Sequence, residues 1–363
     1  MRNLKFGIFV CLSLTLMLTS LAGVSTKQAA AQAAKPIELD FAGYWPPTNM
    51  AAVALEWWGR EIEKKTGGKV KFNFYWNQSL LPVYDIPTGI GKGAAKVGAI
   101  VGAFTTDLFP LCELANSIYI CPSPEAGGKA LWELFSTGYA PVVDEYAKLN
   151  LKVVGVLPGA THIWTFKNKK VNYPADLKGL KIRATGRNAT HVKMLGGTPV
   201  SMPPTDCYEA LQRGTIDGVG SYTMDTTYTW KLYEVGKYLL CPQFGGCIID
   251  VCAVFNMDTW NSFPKDVQKV ILDLSDDLAD KNRDLIMEAE TKYAKTIAAM
   301  PGKELYKLTP DALQQWKDAV KSEMDDNIAQ LQAKGHTKAR EVFDKYIAAM
   351  KKYEKNYKWV DPF

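Results

Sequence analysis

Histidine is scarce in this chain: only His162, His191 and His336 occur among 363 residues, none at a spacing that would let two grip one metal ion. No metal site is expected. Cysteine is also thin, seven in all, and no two form a C-x-x-C pair. There is no G-x-S-x-G nucleophile elbow, no H-E-x-x-H and no Walker loop. Gly89-Ile90-Gly91-Lys92-Gly93-Ala94 fits the loosest dinucleotide pattern, but that fingerprint needs a strand before it and a helix after it. Here the apolar strand at Val97 follows, so the glycines read as a helix end and no cofactor is expected. The paired acids Asp276-Asp277 and Asp325-Asp326 sit among polar helical neighbours and read as solvated faces. Charge of one sign is missing too. Lys and Arg exceed Asp and Glu by only five, too even a balance for a nucleic-acid partner.

What is present is an ordinary globular composition, 47% hydrophobic and 22% charged, which excludes disorder as the main theme. The one long apolar run, Phe6 to Leu21, follows Arg2 and Lys5 and leads to the small-x-small sites ending at Ala31 and Ala33. Basic head, apolar middle and small-residue exit predict a secretory signal peptide over 1–33 rather than a membrane anchor, and export of the mature protein. Its removal takes away three basic residues and no acid, lowering the net charge from +5 to +2. Six cysteines then remain, and export permits disulfides: Cys112 with Cys121 or Cys241 with Cys247 could bridge locally, or the thiols are simply buried.

Periodicity predicts α/β architecture. Ile37 to Tyr44 and Lys69 to Trp76 alternate as strands, with a helix between them marked by Leu55, Trp58 and Ile62 and stopped at Gly67-Gly68. Val97 to Ala103 reads as a strand buried on both faces. Strands follow at Leu151–Leu157, His162–Phe166, Leu180–Ala184, Ile216–Ser221 and Cys247–Phe255, with a helix capped by Thr205-Asp206 and ended by Gly214. From Pro264 the chain reads as helical, with Thr309-Pro310 opening a later helix and an amphipathic tail from Lys338 to Trp359. Two α/β lobes with the chain crossing between them are expected: 34–155 for the main part of lobe I, 156–255 for lobe II, and 256–363 as a helical region across both.

The block Tyr173-Pro174-Ala175-Asp176-Leu177-Lys178-Gly179-Leu180-Lys181-Ile182-Arg183 resembles the signature of TRAP (tripartite ATP-independent periplasmic) transporter solute-binding proteins of the DctP type. So do Lys65 to Val70, Gly196 to Val200, Tyr208 to Gly218 and Glu234 to Leu239, in the family's order. The resemblance implies a periplasmic-binding-protein-like fold, two α/β lobes closing on a small organic carboxylate that is passed to TRAP membrane permease subunits, with no catalysis. It gives Arg183 the ligand's carboxylate, a role suited to a planar guanidinium that bonds both oxygens and stays charged. The bland alternative is that Arg183 salt-bridges a neighbouring acid.

This chain departs from the family at two places. His162 stands where many members carry a second arginine, and Ser221-Tyr222 follow the Asp217-Gly218 step where an asparagine is frequent. A less cationic, more aromatic pocket is implied, hence a monocarboxylate with an aromatic or branched body. Trp45, Phe104, Thr105, Gln243 and Phe244 are the further wall candidates. A monomer is expected. The rival readings are a periplasmic sensor component and an exported enzyme acting on a carboxylic acid, for which Asp206 is the nearest candidate base.

Overall fold

Alternation along Ile37–Ala42 and Val70–Tyr75 builds the first two strands, and an aromatic layer packs them against the helix Met50–Lys65. A computed structural model describes residues 35–116, 121, 123–241 and 251–356. The signal segment therefore lies outside the described residues, as do Gln243, Phe244 and Cys247. In chain order the first part comprises β1 (Ile37–Ala42), α1 (Met50–Lys65), β2 (Val70–Tyr75), α2 (Ile86–Gly91), β3 (Val97–Val101), α3 (Pro124–Ser136), α4 (Ala140–Ala147) and β4 (Leu151–Leu157). Next come β5 (Ile163–Phe166), β6 (Lys181–Arg183), α5 (Arg187–Met194), β7 (Thr198–Val200), α6 (Cys207–Arg213), β8 (Gly218–Tyr222), α7 (Met224–Thr229), α8 (Leu232–Val235) and β9 (Tyr238–Leu240). The chain continues with β10 (Val251–Asn256), α9 (Met257–Ser262), α10 (Lys265–Asp273), α11 (Ser275–Ala298), β11 (Glu304–Tyr306), α12 (Pro310–Val320), α13 (Glu323–Ala333) and α14 (Ala339–Glu354).

The strands form two sheets, ordered β2-β1-β3-β10-β4 and β11-β9-β5-β8-β6-β7. This is the two-lobed α/β arrangement of periplasmic binding proteins. β10 lies in the first sheet, antiparallel to both β3 and β4, so the segment 156–255 supplies strands to both sheets. β3 is thus parallel to β1 on one side only, and it ends at Val101, with Ala103 in a short helical turn over Gly102–Phe104.

In the first lobe Trp58 of α1 packs between Phe72 and Phe255 at centroid distances of 5.9 and 6.2 Å. Each such ring removes apolar surface worth about 1.5–3 kcal/mol. In the second lobe Trp316 of α12 meets Trp164 edge-on at 5.5 Å, while its indole N–H donates to the Asn172 carbonyl. Thr309 caps α12 through the Ala312 amide, with Pro310 at the first helical position. Asp206 makes no such bond; a turn over Pro204–Asp206 leads directly into α6, which Gly214 then ends at φ +77°.

α11 ties the lobes together. Near its start Asn282 donates to the Pro158 carbonyl just beyond β4, and near its end Ala294 and Ile297 pack with Ile163 and Leu239 of the second sheet. The C-terminal α14 lays Val342, Tyr346 and Met350 inward, and its Tyr353 donates to Glu133 of α3. The helical region is interrupted by β11, which pairs with β9. Cys112, Cys121, Cys207, Cys241 and Cys252 are all buried, and the Tyr146 hydroxyl reaches both Cys112 Sγ at 3.6 Å and Cys252 Sγ at 3.5 Å. Cys112 and Cys121 thus behave as small core residues, and the Cys121 thiol donates to the Ser123 carbonyl.

Candidate functional site

The loops at the carboxyl ends of β1, β3, β6 and β8 meet, which is where open α/β sheets place ligands. Arg183 closes β6. It is 2% exposed, and its Nε and Nη2 donate to the Met202 carbonyl at 3.2 and 3.1 Å. One face of the guanidinium lies over the Tyr222 ring at 4.7 Å, and Phe104 stands 5.7 Å away. Phe104 belongs to the turn after β3, so the two lobes meet through this contact.

Behind Phe104 the aromatic wall continues. Tyr44 approaches it edge-on at 5.2 Å, and Trp45 stacks obliquely on Tyr44 at 4.1 Å; both are nearly fully buried. Tyr84 reaches the same Phe104 ring at 6.0 Å. Thr105, next along, has a buried Oγ1 with no hydrogen-bond partner among the described residues.

Tyr222 owes its orientation to a bulge. Between β5 and β8 the register runs Ile163 to Tyr222 but Thr165 to Val219, so β8 carries one residue too many. Ser221 absorbs it at φ +66°, a left-handed conformation that costs a non-glycine residue about 1–2 kcal/mol. Without the extra residue Val219 and Tyr222 would point to opposite faces. With it both pack beside Cys207, Leu211 and Ile216, and Tyr222 turns toward Arg183. Burial, against the pull of Arg183, keeps the Tyr222 phenol well above its ordinary value, so it stays protonated, 3.8 Å from Cys207 Sγ.

Among the described residues no acid pairs with Arg183. The salt-bridge alternative is therefore not what the side chain does. A buried cation without a counter-ion costs several kcal/mol, here offset only in part by one carbonyl and the aromatic faces. The arrangement is suited to an anion brought from outside.

His162 lies in the crossover from β4 to β5, 2% exposed, with Nε2 lacking a partner among the described residues. Burial, with His191 nearby, lowers its pKa to about 3, so it is neutral at any physiological pH. It cannot replace a second arginine as a charge. Nearby, Arg187 of α5 holds Glu323 of α13 through Nε at 3.1 Å and Nη2 at 2.6 and 2.5 Å. His191 Nε2 stands 3.4 Å from the same carboxylate without hydrogen-bond geometry. Asp206 is exposed and its carboxylate accepts from the Thr205 hydroxyl, away from any buried acid–base pair.

Tyr44, Met202 and Cys207 were not anticipated from the sequence. The first hides in an apolar run beside Trp45, and the second acts through its carbonyl, which leaves no side-chain signal.

Residues 41–331 match the family described as bacterial extracellular solute-binding protein, family 7 (DctP). The chain belongs to this family. The chain is similar to the monocarboxylate 2-oxoacid-binding periplasmic protein of a Nostoc species, 24% identical over 233 residues that span 62% of each chain. Among solved structures, a TRAP periplasmic solute-binding protein from Desulfovibrio salexigens is 27% identical, covers 88% of this chain and 97% of its own, and superposes with a TM-score of 0.73. One from Rhodoferax ferrireducens, solved with co-purified benzoate, is 20% identical with a TM-score of 0.78 over 88% and 99%. TRAP solute-binding proteins are periplasmic receptors for small organic acids and work with membrane permease components. No helix among the described residues is long and apolar enough to cross a membrane.

Proposed function

We propose that this family 7 receptor captures a monocarboxylate with an aromatic or branched apolar body, closes its two lobes on it and presents it to a TRAP permease as a soluble periplasmic monomer, after loss of the 1–33 segment. The observation that carries the reading is the buried Arg183 guanidinium, faced by Tyr222 and Phe104 and paired with no acid. Its fork fits one carboxylate. A neutral His162 and the rings of Tyr44, Trp45, Phe104 and Tyr222 offer the rest of the ligand apolar area instead of a second charge. Ser221 and Thr105 supply buried hydroxyls to the site, and Gln243 and Phe244, outside the described residues, stay wall candidates from their sequence position. The benzoate held by the Rhodoferax protein and the 2-oxoacid named for the Nostoc relative fall in the same chemical class. Transport is favoured over catalysis, because Asp206 is exposed and offers Arg183 no buried base.

Thermal unfolding with benzoate, mandelate, branched 2-oxo acids, succinate and glucuronate tests this, after unfolding and refolding to strip carried-over ligand. An acid at 100 times its Kd adds about 2.7 kcal/mol to stability. Stabilisation by the apolar monocarboxylates and not by succinate or the polyhydroxylated glucuronate is expected. A response to succinate alone would overturn the monocarboxylate assignment, and a response to glucuronate alone would overturn the apolar body.

A further inference from the structure

One residue after Tyr222 the chain enters α7, and a four-residue turn after Trp45 leads into α1; the N-terminus of α1 meets the side of α7. Asp225 of α7 is 2% exposed, and its Oδ2 accepts the Met50 N–H at the start of α1, 3.0 Å away. Alongside, Asn49 donates to Thr229 Oγ1 at 3.4 Å while its Oδ1 caps α1 through the Ala51 amide. α1 is built on the first lobe and α7 on the second, and both rest on α11. From α11, Glu290, wholly buried, accepts the Asp225 amide at 3.0 Å. Asp225 Oδ1 and Glu290 Oε2 have no partner among the described residues.

We propose that Asp225 is a positioning residue for ligand capture: by fastening the α1 N-terminus to α7 it holds the Tyr44-Trp45 wall against Arg183 and Tyr222, and it lets proton uptake favour the closed lobes. The inference rests on the proposed carboxylate site only for its binding assay. The titratable groups facing Asp225 are Glu290 and Tyr293 of α11; α1 presents only the Met50 amide and Asn49. Burial raises the Asp225 carboxyl to about 7, against the Met50 bond, and burial raises Glu290 to about 8. A raised acid binds its proton more tightly in this arrangement than when hydrated. Parting the helices hydrates Asp225 and releases the proton, so the fastened state loses ground as pH climbs from the ordinary carboxylate range to about 7. For full hydration of Asp225, linkage shifts the balance between fastened and parted helices by about 30-fold between pH 5.5 and 8, and affinity follows to the extent that the parted state is populated without ligand. His162 stays neutral throughout.

The test compares the wild-type protein with Asp225→Asn, which keeps the acceptor for Met50 but cannot titrate, and with Thr229→Val, which cuts the parallel bond and leaves the charge. Benzoate is the probe for calorimetric Kd, and the radius of gyration by small-angle scattering, with and without benzoate, reads lobe closure. Expected is a Kd that rises threefold or more from pH 5.5 to 8 in wild type and in Thr229→Val, and stays level in Asp225→Asn. The radius of gyration is expected to grow with pH only where Asp225 is present. A wild-type radius and Kd that ignore pH, or an Asp225→Asn profile as steep as wild type, would overturn the proposal. Failure of benzoate to bind would strike the ligand class alone, since the scattering arm needs no ligand.

Discussion

Replacing Glu323 by Gln removes the anion paired with the buried Arg187 while conserving shape. In the native protein Arg187 donates to Glu323 through three N–H···O contacts, and both side chains are about 5% exposed. Burial alone would push the Glu323 carboxyl up; His191 and Arg187 outweigh it and hold it down at about 2. We assign most of that to Arg187, because burial keeps His191 itself largely neutral. The stabilisation from a depressed acid is present above the unfolded value near 4.5 and is lost as pH falls through about 2. A drop of two to three pH units corresponds to about 3 kcal/mol. Leaving a buried arginine uncompensated costs about 3–5 kcal/mol by direct substitution, so the two routes agree. Urea unfolding should therefore show Glu323→Gln destabilised by about 3 kcal/mol or more at pH 7. The gap to wild type should shrink between pH 4.5 and 2, where the wild-type carboxylate also becomes neutral. A loss below about 1 kcal/mol at pH 7, or a gap independent of pH, would refute the reasoning. The pair matters because α5 follows Arg183 by only three residues, so α13 anchors the strand end that carries the guanidinium.

Two further outcomes follow from the same geometry. Tyr222→Ala removes the ring 4.7 Å from the guanidinium and should weaken ligand affinity by about 30-fold, the worth of about 2 kcal/mol for a desolvated cation–π contact, whereas Tyr222→Phe should stay within about threefold in calorimetry. Gly186→Ala should both destabilise the fold by at least about 1 kcal/mol and weaken binding. Gly186 holds φ +55°, and an added Cβ would stand 2.7 Å from the Ala103 carbonyl, forcing the Phe104 turn away from Arg183.

Elements with their own periodicity were legible in the sequence: β1, α1 and β2 through alternation and the Leu55-Trp58-Ile62 stripe, α12 through its Thr309-Pro310 start. β7, β9 and β11 were not, because each pairs over three residues with distant partners, whereas the equally short β6 sits within the alternating run Leu180–Ala184. Membership of β10 in the first sheet was equally hidden, since an apolar run does not reveal which neighbours it joins. At the site, Arg183 stood out through the block that ends with it, and Phe104 and Trp45 through their place after strands. Ser221's left-handed turn depends on a register shift against β5, which local sequence does not encode. Arg187 with Glu323, and Asp225 with Met50, join residues more than a hundred positions apart. Charged side chains of that kind read as solvated until the fold buries them.

Calorimetric titration of wild type and Arg183→Gln, with the acid that stabilises the wild-type protein most, tests the central claim most directly. Removing a buried charged donor from an ion pair costs about 2–5 kcal/mol, so Kd should rise by about 30-fold or more while the fold and unfolding midpoint without ligand persist or improve. An Arg183→Gln protein that binds the acid within threefold of wild type would contradict the account and move the carboxylate elsewhere.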